Sequence, residues 1–181
     1  MWQKALTWHG ECDIIWNSMG SFGLTASGQT TRGVCRKGMN GKGSVLDMTR
    51  REERELVFSL LFEREFQPQR EVAEMFDAEM EARDVTPTDY LRDTFFGVCE
   101  KQTEIDALIT ENANGWRADR LTRTARSVLR LALYEMLFGG LPASIAINEA
   151  IELDKKFDDE KTYGFINGVL NGVEKKRSEN G

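Results

Sequence analysis

From Met48 onward apolar residues recur every three or four positions, the period of one face of an α-helix, and no stretch alternates convincingly enough to read as a strand. Leu56, Val57, Leu60 and Leu61 form the first stripe. Thr49 followed by Glu52 sets a capping box ahead of it and Gln67-Pro68 closes it, which predicts a helix to about Phe66. Val72, Met75, Phe76 and Met80 stripe a second helix over about residues 69–83, with an acidic opposite face. Thr86-Pro87-Thr88-Asp89 reads as the next start, with Thr86 as hydroxyl cap, Pro87 at the first helical position and a carboxylate in the first turn. That helix is expected to reach about Ile109 with a kink near Gly97, before Asn112, Asn114 and Gly115 break the pattern.

A longer helix from about Arg120 to Phe138 carries Val128, Leu129, Leu131, Ala132, Leu133, Met136 and Leu137 around much of its circumference, the mark of a central, buried element. Gly139-Gly140 stops it, Pro142 starts another that ends near Phe157, and Asp158-Asp159-Glu160 opens a last helix lined by Ile166, Val169, Leu170 and Val173. The expected fold is an all-α bundle of six or seven helices with short connections.

The pattern does not extend upstream. Residues 1–47 hold eight of the sixteen glycines, three of the four tryptophans and the single histidine, His9, with no sustained period. An irregular N-terminal extension is expected there. It is either a flexible regulatory tail or sequence lying upstream of a true start at Met48; the second reading is favoured because codons for Lys42-Gly43-Ser44 can form a purine-rich ribosome-binding site. Gly38 to Ser44 looks superficially like a phosphate-binding loop, but GxxxxGK[ST] requires Gly at Arg36 and Ser or Thr at Gly43, so the match fails.

Composition bounds the chemistry. A chain of 181 residues with 40% hydrophobic and 30% charged residues can bury one core. Cys12, Cys35 and Cys99 are odd in number and show no CxxC spacing, so neither a disulfide framework nor a metal site is expected, and a reducing, cytoplasmic compartment fits. No apolar run is long enough to span a bilayer. With His9 confined to the extension, the body has no imidazole base and no Ser-His or Cys-His pair, so no catalytic residue, metal or cofactor is assigned and no enzyme is expected. Cys99 reads as core. Glu149 and Glu152, three apart on one helix, read as a solvated acidic face, with a shared metal or proton as the less common alternative.

The net charge of −6 argues against blanket adhesion to nucleic acid and directs attention to local cationic groups. Arg50, Arg51 and Arg54 share a face at the start of the first helix, and continuing by four reaches Phe58 and Phe62, so an arginine cluster leads toward an aromatic edge suited to phosphates and unstacked bases. The alternative is that the arginines pair with Glu52, Glu53 and Glu55 and the rings are core. Arg117, Arg120, Arg123, Arg126 and Arg130 wind along one side of the central helix, where they either meet phosphates or an acidic partner, or pair with the acidic second helix. On the last helix Lys161, Phe165 and Asn167 combine a cation, a ring and an amide.

Three blocks carry a resemblance. Val128-Leu129-Arg130-Leu131-Ala132-Leu133-Tyr134-Glu135-Met136-Leu137, then Ile147-Asn148-Glu149-Ala150-Ile151-Glu152-Leu153, then Phe165-Ile166-Asn167-Gly168-Val169-Leu170 resemble, in order and spacing, the bacterial antitermination factor family NusB. The opening Arg50-Arg51-Glu52-Glu53-Arg54-Glu55 is similar to that family's arginine-rich start, and Arg92-Asp93 through Gly97-Val98 to its third helix, so the likeness runs from about Met48 to Val173.

The resemblance implies two packed helical subdomains, about residues 48–111 and 116–177, a short tail at 178–181, and no catalysis. It implies a transcription antitermination factor that binds the single-stranded boxA element of nascent ribosomal RNA with the small-subunit ribosomal protein NusE, alongside other Nus factors and RNA polymerase. RNA contact is thereby carried onto Arg50, Arg51, Arg54, Lys161 and Phe165; Phe62, Arg120, Arg123 and Arg126 are candidates for RNA or partner contact from their spacing alone. A protein adaptor of similar fold, with RNA binding incidental, is the alternative. The chain departs from the pattern at Glu53, where the family usually has a small residue, and at Lys161, where relatives can carry an acid; residues 1–47 have no counterpart.

Overall fold

Seven α-helices run through the residues that the structure, a computed structural model, describes: 48–113, 121–157 and 160–180. They are α1 (Arg50–Arg64), α2 (Val72–Ala82), α3 (Asp89–Glu100), α4 (Gln102–Asn112), α5 (Arg123–Leu137), α6 (Ala143–Phe157) and α7 (Glu160–Asn180). No strand occurs among the described residues, and no described helix is long and apolar enough to cross a membrane. The expectations for residues 1–47, and for Arg117 and Arg120, lie outside the described residues.

Local chemistry sets the ends. The Thr49 hydroxyl accepts from the backbone N–H of Glu52 while the Glu52 carboxylate accepts from the backbone N–H of Thr49 at 2.7 Å, the reciprocal box expected from the sequence. Thr88 caps α3 by accepting from the N–H of Leu91, and Thr122 caps α5 by accepting from the N–H of Ala125. The cap of α3 therefore falls two residues later than the Thr86 expected: both threonines can serve, and the helix takes the one whose hydroxyl also reaches Glu53 on α1. Past the end of α5, Gly140 adopts φ +70°, the left-handed turn that Gly-Gly permits.

One predicted helix is two. The chain breaks at Lys101, not at Gly97, dividing α3 from α4. Gly97 stays helical because its missing side chain is needed elsewhere: a Cβ built there would lie 2.0 Å from the Tyr134 hydroxyl oxygen of α5.

The central role of α5 is borne out. Ala125, Val128, Leu129, Leu131, Ala132, Leu133 and Met136 are all buried, and the helix packs against α1, α3, α4, α6 and α7. Met75 and Phe76 anchor α2, with the Phe76 ring stacked on Phe95 of α3 at 5.7 Å between centroids. Ile166, Val169, Leu170 and Val173 close the core from α7 as the stripe predicts. This frame fixes the first turn of α1 against the start of α3 and the body of α5.

Candidate nucleic-acid interface

The Thr49 cap places Arg50 and Arg51 in the first turn of α1. Both side chains stay out in solvent, at 59% and 60% exposure. The Arg50 guanidinium lies 4.1 Å from the centroid of the Tyr90 ring and forms an ion pair with Glu53 at 2.9 Å. Glu53 is itself buried and accepts from the Thr88 hydroxyl at 2.6 Å. Among the described residues Arg51 makes only a long contact, 3.4 Å, with the exposed carboxylate of Glu152 on α6.

Arg54 corrects the expectation of a third outward arginine. One turn further along α1 its side chain enters the body and is 6% exposed. Its Nε donates to Glu135 Oε2 at 2.9 Å and its Nη2 to Glu135 Oε1 at 3.0 Å, a bidentate pair, while Nη1 donates to Glu149 at 2.7 Å. Burial works against the guanidinium charge, but the hydrogen bonds and negative charges of Glu135 and Glu149 outweigh it, and the group is held above its ordinary pKa. Tyr90 completes the cluster by donating its hydroxyl to Glu135 Oε1 at 2.6 Å. Its phenol is pushed up, first by burial and then by the charge of Glu135, so the ring stays neutral.

The expected partners of these arginines are thus only partly right. Glu53 does take Arg50, but Arg54 is claimed by acids on α5 and α6. Glu149 and Glu152, read from the sequence as a solvated face, are the receiving groups for Arg54 and Arg51.

The arginines of α5 divide in the same way. Arg130 is buried in a bidentate pair with Asp106 at 2.7 and 2.8 Å and also donates to Glu65; Arg126 pairs with Glu65 at 3.1 Å. Their acids come from α4 and the end of α1, not from the acidic α2 that stood as the alternative to an outside partner. Arg123 remains exposed, its guanidinium 4.3 Å from the centroid of Phe66. Phe62 is half-buried between Phe58 at 6.0 Å and Phe66 at 5.1 Å.

On α7, Phe165 was expected as an open ring beside Lys161. It is 9% exposed, because it belongs to the inward stripe with Ile166 and Val169. The side chain of Lys161 lies outside the described residues. Tyr163, two positions earlier, is exposed and was missed; its signal was only its place off the apolar stripe. Tyr90 was also missed, and no local pattern announces it, since Arg50 and Glu135 come from other helices.

Fold and site together define a class: an all-helical bundle in which the first described helix presents two exposed arginines, one of them seated on a buried ion network. The sequence matches the NusB family over residues 51–175, and the chain belongs to that family. It is 35% identical to the transcription antitermination protein NusB of Oleidesulfovibrio alaskensis, over 76% of this chain and 93% of the relative. It is 38% identical to the NusB protein of Agathobacter rectalis, over 68% of this chain and 97% of that one.

Among solved structures, Thermotoga maritima NusB superposes with a TM-score of 0.66 at 31% identity, covering 72% of this chain and 94% of that one. A chain from a complex of the antitermination factors NusB and NusE with double-stranded RNA superposes with a TM-score of 0.62 at 26% identity, over 70% of this chain and 96% of the other.

Proposed function

We propose that this chain is a transcription antitermination factor that binds boxA-type single-stranded RNA of nascent ribosomal RNA transcripts. It does so together with a NusE-type small-subunit ribosomal protein, in complexes with other Nus factors and RNA polymerase in the cytoplasm. The observation that carries the reading is the pair Arg50 and Arg51, open to solvent side by side on the first turn of a helix in a NusB-family chain. Guanidinium groups in that position neutralise phosphates and supply affinity without reading sequence. The relative solved with NusE and RNA supports both partners.

No catalytic step is assigned. The RNA contact is assigned to Arg50 and Arg51, and Arg54 is assigned the role of bracing Arg50 from within through Glu135 and Tyr90. Stacking on α7 passes from the buried Phe165 to the exposed Tyr163. The adaptor alternative needs an arginine stripe free to grip an acidic partner, and Arg126 and Arg130 are already held by Glu65 and Asp106.

The test is binding of a labelled boxA-type RNA, with a scrambled strand and a duplex as competitors, in the presence and absence of the ribosomal protein. Arg51→Glu is expected to weaken binding and flatten its salt dependence. Unchanged binding at several salt concentrations refutes the assignment. Complex formation with the ribosomal protein that is complete without RNA, and gains nothing from it, transfers the function to the adaptor reading.

A further inference from the structure

We infer that Tyr90 is the positioning residue of this interface: its ring holds Arg50 in the outward orientation from which the guanidinium meets a phosphate of the bound strand. The inference rests on the reading of the first turn of α1 as an RNA contact.

Three contacts make the platform. The ring lies beneath the Arg50 guanidinium at 4.1 Å, and its hydroxyl donates to Glu135 at 2.6 Å, which ties the ring to α5. Glu135 is fixed in turn by the bidentate grip of Arg54. Glu53, held by the Thr88 hydroxyl, takes one edge of Arg50 at 2.9 Å. The guanidinium is therefore held by a ring on one side and a carboxylate at one nitrogen, while its side chain stays 59% exposed.

An arginine that is free in water loses rotamer freedom when it closes on a phosphate; one already held by a ring and a carboxylate loses less, and binds correspondingly better. Among the described residues Arg51, one residue away, has no ring contact and meets only Glu152 at 3.4 Å, so it serves as the internal control. The neutrality of the buried phenol matters as well, because a phenolate beneath Arg50 would compete with the phosphate for it.

The experiment uses the full chain and a labelled boxA-type single-stranded RNA. Tyr90→Leu removes the ring, and Tyr90→Phe keeps it while losing the hydroxyl. Tyr90→Leu is expected to weaken binding by about two- to fivefold, the range of an exposed cation–ring contact, and Tyr90→Phe to restore most of the affinity. Combined with Arg50→Ala, Tyr90→Leu should cost nothing more; combined with Arg51→Ala, the two losses should multiply. In the free protein, the Arg50 side-chain N–H resonance should be shifted upfield by the ring, stay shifted in Tyr90→Phe and return to an ordinary position in Tyr90→Leu.

Independent losses from Tyr90→Leu and Arg50→Ala overturn the positioning role. So does an unshifted Arg50 resonance in the unmodified protein, a readout that does not depend on any variant folding. If neither Arg50→Ala nor Arg51→Ala changes RNA affinity, it is the RNA contact itself that fails, and the inference falls with it.

Discussion

A guanidinium withdrawn from water is stable only against carboxylates that satisfy its donors, and this separates Arg54 from its two neighbours. Arg54→Ala leaves Glu135 buried and Glu149 half-buried with no cation between them, and is expected to cost about 3–5 kcal/mol in urea denaturation. Arg51→Ala removes one long contact between exposed groups and should change stability by less than about 0.5 kcal/mol while weakening RNA binding. A small stability loss for Arg54→Ala would show that the buried network is dispensable. The sequence displays three arginines on one helical face and cannot separate them further. The acids that turn Arg54 inward lie 81 and 95 residues downstream, and helical spacing carries no information over that distance. Phe165 was misjudged for a related reason: a ring at the edge of an apolar stripe can belong to either face until the neighbouring helix is placed.

Between elements, close approach decides. Alanine in place of a helical glycine ordinarily gains up to about 1 kcal/mol, since glycine weakens helices by that amount. At Gly97 the sign reverses, because the new Cβ would meet the outer end of the Tyr134 side chain of α5 at 2.0–2.5 Å and displace it from its place beside α3. Gly97→Ala is expected to destabilise by about 1–3 kcal/mol, with much of the loss recovered in the Gly97→Ala, Tyr134→Ala double variant as thermal melts would record. Strict additivity would show that the two positions do not collide. Glycine within a helical pattern offered two meanings, a kink or a close contact, and only the second helix could choose between them. The stripes themselves located the helices well, because burial of one face is what holds each of them in place.

The α1–α2 junction adds a dependence on pH. Burial first, and then the nearby charge of Glu79, hold the Glu63 carboxyl above its ordinary value, against the lowering influence of Arg70 and Arg83. A carboxyl with a raised folded-state pKa contributes most below its unfolded value, and that contribution is lost as pH rises through the folded value. Glu63→Gln is therefore expected to raise the melting temperature near pH 7 and to lose that advantage in acid. Equal gains at both pH values would locate the cause elsewhere.

For the whole molecule, the question is how a chain of net charge −6 attracts a polyanion at all. Counting from Met48, 19 basic and 27 acidic residues leave −8, so the average field repels RNA and attraction must be confined to a few groups within a screening length of about 8–10 Å. Three arginines are neutralised within the fold: Arg54 by Glu135 and Glu149, Arg126 by Glu65, and Arg130 by Glu65 and Asp106. The family could be read from three blocks on α5, α6 and α7 because those blocks are packing surfaces. The proposed RNA face could be read only in part, because it consists of what packing leaves over. With Arg50 and Arg51 as the phosphate contacts, each releasing about 0.7 counterion from a single strand, the logarithm of affinity should fall against the logarithm of salt with a slope of about −1.4. Arg51→Ala should bring that slope to about −0.7, and a titration of boxA-type RNA from low to moderate salt measures both. A slope several times steeper would mean that cations now assigned to internal ion pairs open to meet the RNA; a slope near zero would remove phosphate contact from the first turn altogether.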